Sequence, residues 1–78
     1  MWWWLEKIED TSEVAIYGYG VATQKVSGKF LINKTTNEVT KIQMADTDNE
    51  KLYLVFAGMV EGIIPNENYP KVRTIATG

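Results

Sequence analysis

The chain contains no cysteine and no histidine. The first absence excludes disulfides and thiolate metal sites, and it leaves the redox compartment unmarked. Together the two absences remove the side chains that most often act as nucleophile or general base near neutral pH. Proline occurs only twice, and no apolar run approaches the ~20 residues of a membrane span. Positive charge is not in excess either. A net charge of −2 argues against a generic binder of nucleic acid or anionic lipid. Tryptophan stands at positions 2 to 4, where a secretory leader would carry positive charge, and acids follow, so a cytoplasmic setting is the default expectation.

What is present describes an ordinary globular chain. Seventy-eight residues, 45% of them hydrophobic and 23% charged, fit one small domain spanning 1–78, without linker, repeat or low-complexity tract. So short a chain supports only a modest core, and self-association would add to it. The charge is segregated. Lys25, Lys29, Lys34 and Lys41 face only Glu38 within 22–45, while the segments on either side are acidic.

The organising stretch is Asp48 to Ile64. Leu52, Val55, Phe56, Met59, Val60 and Ile63 recur at the spacing of one helical face. Thr47 and Glu50 have capping-box spacing, with Asp48 and Glu50 in the first turn, and Pro65 marks the stop and biases Ile64 towards extended backbone. The apolar arc is wide, as for a helix lying on a sheet, with Leu54 outside it beside Glu61. Gly58 and Gly62 are either tolerated glycines or points where a strand or a second copy comes close.

Around this helix the chain reads as strands. Residues 2–8 fit a strand that sends Trp2 and Trp4 to one side and Trp3 to the other, or a short helix with Trp4, Leu5 and Ile8 on one face; the turn-like Asp10-Thr11-Ser12 favours the strand. From Glu13 to Val26, alternation sets Ala15, Tyr17, Tyr19 and Val21 against Val14, Ile16, Gly18, Gly20 and Ala22. The two glycines would leave room for bulky helix residues or permit a bend. Ser27-Gly28 reads as a turn, Lys29–Asn33 as a strand, and Glu38–Met44 as another with Ile42 and Met44 inward. Lys71–Thr77 closes the chain, with Val72 opposed to Arg73 and Ile75. The expected fold is α+β, a mainly antiparallel sheet of four or five strands with one amphipathic helix on a face, in the order β-β-β-β-α-β.

Chemistry is sparse. Ser12 and Ser27 have no evident base, and Asp46 and Asp48 are accounted for by the helix start. Asp46 to Glu50 opens like a calcium loop, but Lys51 and Ala57 stand where the turn glycine and the closing glutamate belong. Tyr-Gly-Tyr-Gly has neither the spacing nor the βαβ context of a phosphate loop, and Asn33-Lys34-Thr35 is a glycosylation pattern without a secretory signal. No catalytic, cofactor-binding or metal-binding residue is assigned, and no enzymatic activity is expected. The expectation is a non-enzymatic protein-interaction module, with self-association as one mode, whose candidate surface comprises Trp2, Trp3, Trp4, Tyr17, Tyr19 and Leu54. Core packing is the competing use of the tryptophans. Two alternatives are weak single-stranded nucleic-acid binding by the basic 25–41 hairpin and a small apolar ligand held over Gly18 and Gly20.

Overall fold

In a computed structural model, residues 1–77 are described and form a five-stranded antiparallel sheet crossed by one helix. Strands β1 (Trp2–Asp10), β2 (Val14–Val21), β3 (Gly28–Asn33) and β4 (Val39–Gln43) run as a meander, followed by α1 (Glu50–Ile63) and β5 (Val72–Ala76). The spatial order is β4-β3-β2-β1-β5. The helix therefore starts beside one edge strand and delivers the chain to the opposite edge, where β5 pairs with β1. The expected α+β architecture and element order are observed.

Alternation decides what lies beneath the helix. Trp3, Leu5, Ala15, Tyr17, Tyr19, Phe30, Ile32 and Ile75 point to its side and are almost fully buried. Phe56 is the hub. Its ring lies 4.9 Å from Tyr19, 5.2 Å from Trp3 and 5.6 Å from Phe30, measured between centroids. Offset stacks and edge contacts at these separations add attraction beyond the area they bury.

Several expectations need correction. The helix begins two residues late, at Glu50, because Asn49 rather than Thr47 is the cap: its side chain accepts from the Leu52 N–H at 3.0 Å. Thr47 has φ 64° and belongs to the preceding turn. The helix is also rotated. Tyr53, Phe56, Val60 and Ile64 are buried, Leu52, Met59 and Ile63 are half-buried, and Val55 is 52% exposed. Choosing Tyr53 over Val55 buries a larger side chain. Ile64 remains helical (φ −65°, ψ −46°) despite the following proline, and its complete burial offsets that local bias.

The strand after Glu13 ends at Val21, and Val26 falls in the connecting loop instead of extending the strand. Gly28 opens β3, paired with Tyr19, rather than closing a turn, and a Cβ there would overlap the Tyr19 ring and lie 2.8 Å from the Ala45 Cβ. Ile42 is 51% exposed, not inward, where a register irregularity interrupts the β3–β4 ladder, whereas Met44 packs on the core. Gly18 and Gly20 face away from the helix, so the room they leave is not for Phe56 or Met59.

Candidate interaction face

The sheet has a second face, and among the described residues no element of secondary structure covers it. Strand pairing fixes its membership, since residues directly opposite in an antiparallel ladder point the same way. Gly18 pairs with Glu6 on one side and Lys29 on the other; Gly20 pairs with Trp4, and Ile16 with Leu31. At β5, Val72 pairs with Glu6 and Thr74 with Trp4. Trp2, Trp4, Val14, Ile16 and Leu31 are half-buried, while Ile8 and Val72 are half-exposed.

Two local devices shape this face. A register shift between Lys7 and Glu9 lets Ile8 swing over β2, where its Cδ1 would lie 3.2 Å from a Cβ on Gly18. The 22–27 connection folds back over the same strand. Val26 occupies the space above Gly18, and the Thr23 carbonyl would lie 2.7 Å from a Cβ on Gly20. Glycine is required here by close approach, not by dihedral angle. The outcome is a low apolar ridge along β2, flanked by Trp4 and Glu6 on β1 and by Lys29 and Leu31 on β3. The Trp4 indole N–H donates to Glu6 Oε2 at 2.6 Å.

The six residues expected on an interaction surface are thus divided. Trp2 and Trp4 belong to the open face. Trp3, Tyr17 and Tyr19 are core residues and leave the candidate surface, and Leu54 is 63% exposed on the helix, away from the other five. Ile8, Val14, Ile16, Val26, Leu31 and Lys29 join the face. For Ile16 and Val14, alternation opposite the tyrosines was the available signal. Ile8 and Val26 reach it through a bulge and a loop, which no periodicity marks.

Polar side chains elsewhere are engaged in holding connections. The Tyr19 hydroxyl donates to Asp48 Oδ2 at 2.7 Å and accepts from the Ala45 N–H at 3.1 Å, fixing the approach to the helix. Tyr17 donates to the Pro70 carbonyl at 2.5 Å, fixing the exit. Burial is the main cause that raises the hydroxyl pKa of both tyrosines above the usual range. Tyr53 is pushed up to about 12, first by burial and then by the charge of Glu50. Its hydroxyl and the Trp3 indole N–H are buried with no hydrogen-bond partner among the described residues.

Asp10 binds Lys34 and, at 2.8 Å, Lys7; these two ammonium groups hold its carboxyl below the ordinary range. Lys41 meets Glu50 at 2.6 Å and lies over the Tyr53 ring. The basic 25–41 segment is consequently dispersed. Lys34 and Lys41 are paired on the helix side, and Lys29 stands on the open face.

No protein-family model, curated protein or solved structure matches the chain. Among the described residues, no helix is long and apolar enough to cross a membrane.

Proposed function

We propose that the chain is a non-enzymatic interaction module that binds a protein through the open face of its sheet. The observation that carries this reading is the contiguity of Trp4 and Ile8 on β1, Ile16 on β2, Leu31 on β3 and Val26 in the loop above β2, opposite the face that already holds the core. Contiguous apolar surface rimmed by polar groups is characteristic of binding sites, and tryptophan is enriched among residues that dominate binding energy. The nucleic-acid alternative receives less support, because two of its four lysines are spent in ion pairs on the helix side. The apolar-ligand alternative loses its premise, since Gly18 and Gly20 lie under Val26 and the 22–27 loop.

The test compares the chain with Ile16→Glu as immobilised bait in an extract of the source cells. Circular dichroism first establishes that both are folded. The reading predicts a defined protein retained by the native chain and lost with Ile16→Glu, while Leu54→Glu retains it. Equal retention by all three would contradict an open-face site.

A further inference from the structure

We infer that a second copy of this chain binds by strand exchange: β5 of each copy leaves its own sheet and pairs with β1 of the other. The inference goes beyond the open-face reading and does not depend on it.

β5 is the element most readily exchanged. Among the described residues it has β1 as its sole neighbour in the sheet, and Ile75 is the one of its five residues that is buried. Its ladder has a defined register, from Trp2 with Ala76 to Glu6 with Val72. An exchanged β5 meets the same β1 surface on the second copy. Its fit and its charge pairing are therefore those of the closed chain.

The connection supplies the reason to open. Pro65 and Pro70, the two prolines of the chain, bound it, and each disfavours helical backbone in the residue before it. Ile64 keeps helical backbone under complete burial. Tyr69 is only half-buried, yet it stands at φ 57° in the left-handed region, directly after Asn68 at φ 60°. Asparagine tolerates that region, whereas an aromatic residue before proline is strained in it. The wound form is held by Asn68 N–H to the Pro65 carbonyl at 3.1 Å and Tyr69 N–H to the Ile64 carbonyl at 3.0 Å. Extended instead, the segment lets Tyr69 take the backbone its proline favours. Residues 65–70 then reach about 20 Å. That matches the two shorter dimensions of the molecule, 20 and 19 Å. Short connections under strain are the ones that invite exchange.

Most of what anchors the closed strand is recovered in the dimer. Lys7 donates through its ammonium to the Tyr69 carbonyl at 2.9 Å and through its N–H to the Lys71 carbonyl at 2.8 Å, and Tyr17 donates to the Pro70 carbonyl. These acceptors travel with β5 and meet the same donors on the second copy. The turn hydrogen bonds, the Lys34 ammonium over the Tyr69 ring and the Glu67–Arg73 ion pair are lost. That ion pair is exposed, and such pairs contribute little. Relief at Tyr69 occurs twice per dimer, while the entropy of association is lost once. The closed monomer therefore prevails in dilute solution and the exchanged dimer in concentrated solution.

The experiment refolds the whole chain from urea at micromolar to millimolar concentration and separates the products by size-exclusion chromatography. Glu6→Cys combined with Val72→Cys reports which chains are joined. These residues lie directly opposite each other next to the hydrogen-bonded Lys7–Lys71 pair, a non-hydrogen-bonded site whose Cα separation of ~4.5 Å admits a disulfide. The chain has no other thiol. The expected result is a dimer fraction that grows with refolding concentration. After oxidation, the isolated dimer should run as a covalent dimer on a denaturing gel, and the isolated monomer as a single bridged chain. Tyr69→Gly accepts positive φ without strain and is expected to raise the dissociation constant about tenfold. Circular dichroism establishes that each variant is folded. The absence of a dimer at every concentration, a dimer that yields only bridged single chains, or a Tyr69→Gly dimer as stable as the native one would overturn the inference. Ile16→Glu is expected to exchange as the native chain does, so a failed capture in the open-face test leaves strand exchange standing.

Discussion

Phe56 meets rings from the first three strands at once, while Leu54, two positions earlier on the same helix, projects into solvent. Truncating the first leaves a cavity at the centre of the aromatic cluster. Phe56→Ala is expected to cost about 3–5 kcal/mol in urea unfolding, and Leu54→Ala to stay within ~0.5 kcal/mol of native. The tyrosine hydroxyls should separate in the same way. Tyr19→Phe strands a buried N–H and releases Asp48, and is expected to lose about 1–2 kcal/mol, whereas Tyr53→Phe removes an orphan hydroxyl and is expected to be neutral or stabilising. For pH the sign is fixed by the raised tyrosine values. The folded state holds these protons more tightly than the unfolded chain, whose tyrosines titrate near ~10. The stability from neutral, buried tyrosines is therefore intact below pH ~10 and declines as pH rises through the folded-state values. Ultraviolet titration should show Tyr17, Tyr19 and Tyr53 ionising together with unfolding. Alternation made it legible that Tyr17 and Tyr19 share a side. It did not reveal that this side takes the helix, a choice decided by the area of two aromatic rings and by partners for their hydroxyls in loops far away in sequence.

Element boundaries follow from a few local interactions. The spacing of Thr47 and Glu50 resembles a capping box, yet Asn49 caps the helix and Thr47 adopts a left-handed turn conformation. Cap choice depends on the path by which the chain leaves β4, and that path is held by the distant Tyr19 and Ser27 hydroxyls together with the local Asp48 N–H to Ala45 carbonyl turn. Asn49→Ala is expected to lower stability by about 1 kcal/mol in thermal unfolding. Gly58 and Gly62 lie on the exposed helix surface with nothing near where a Cβ would be, so among the described residues no strand approaches them. Gly58→Ala and Gly62→Ala should each raise stability by about 0.5–1 kcal/mol. On the sheet, period two was legible in β1 and β2, and it gave the opposed directions of Trp3 and its neighbours. The bulge at Ile8 and the fold-back of Val26 broke that parity, so the middle of the candidate face was hidden from sequence alone.

At the scale of the molecule, one face of the sheet spends its side chains on the helix and the other keeps apolar groups half in water. The tryptophans at the start of the chain sample both, Trp3 within the core and Trp2 and Trp4 outside it. That arrangement provides three reporters a residue apart. The most direct measurement is fluorine NMR of the chain carrying 5-fluorotryptophan, assigned by single Trp→Phe variants and followed as the protein captured by the native chain is added. The account predicts that the Trp2 and Trp4 resonances shift or broaden as the open face becomes covered, while the Trp3 resonance stays fixed. Trp2 and Trp4 lines that do not respond to the captured protein, or a Trp3 line that moves with them, would contradict it.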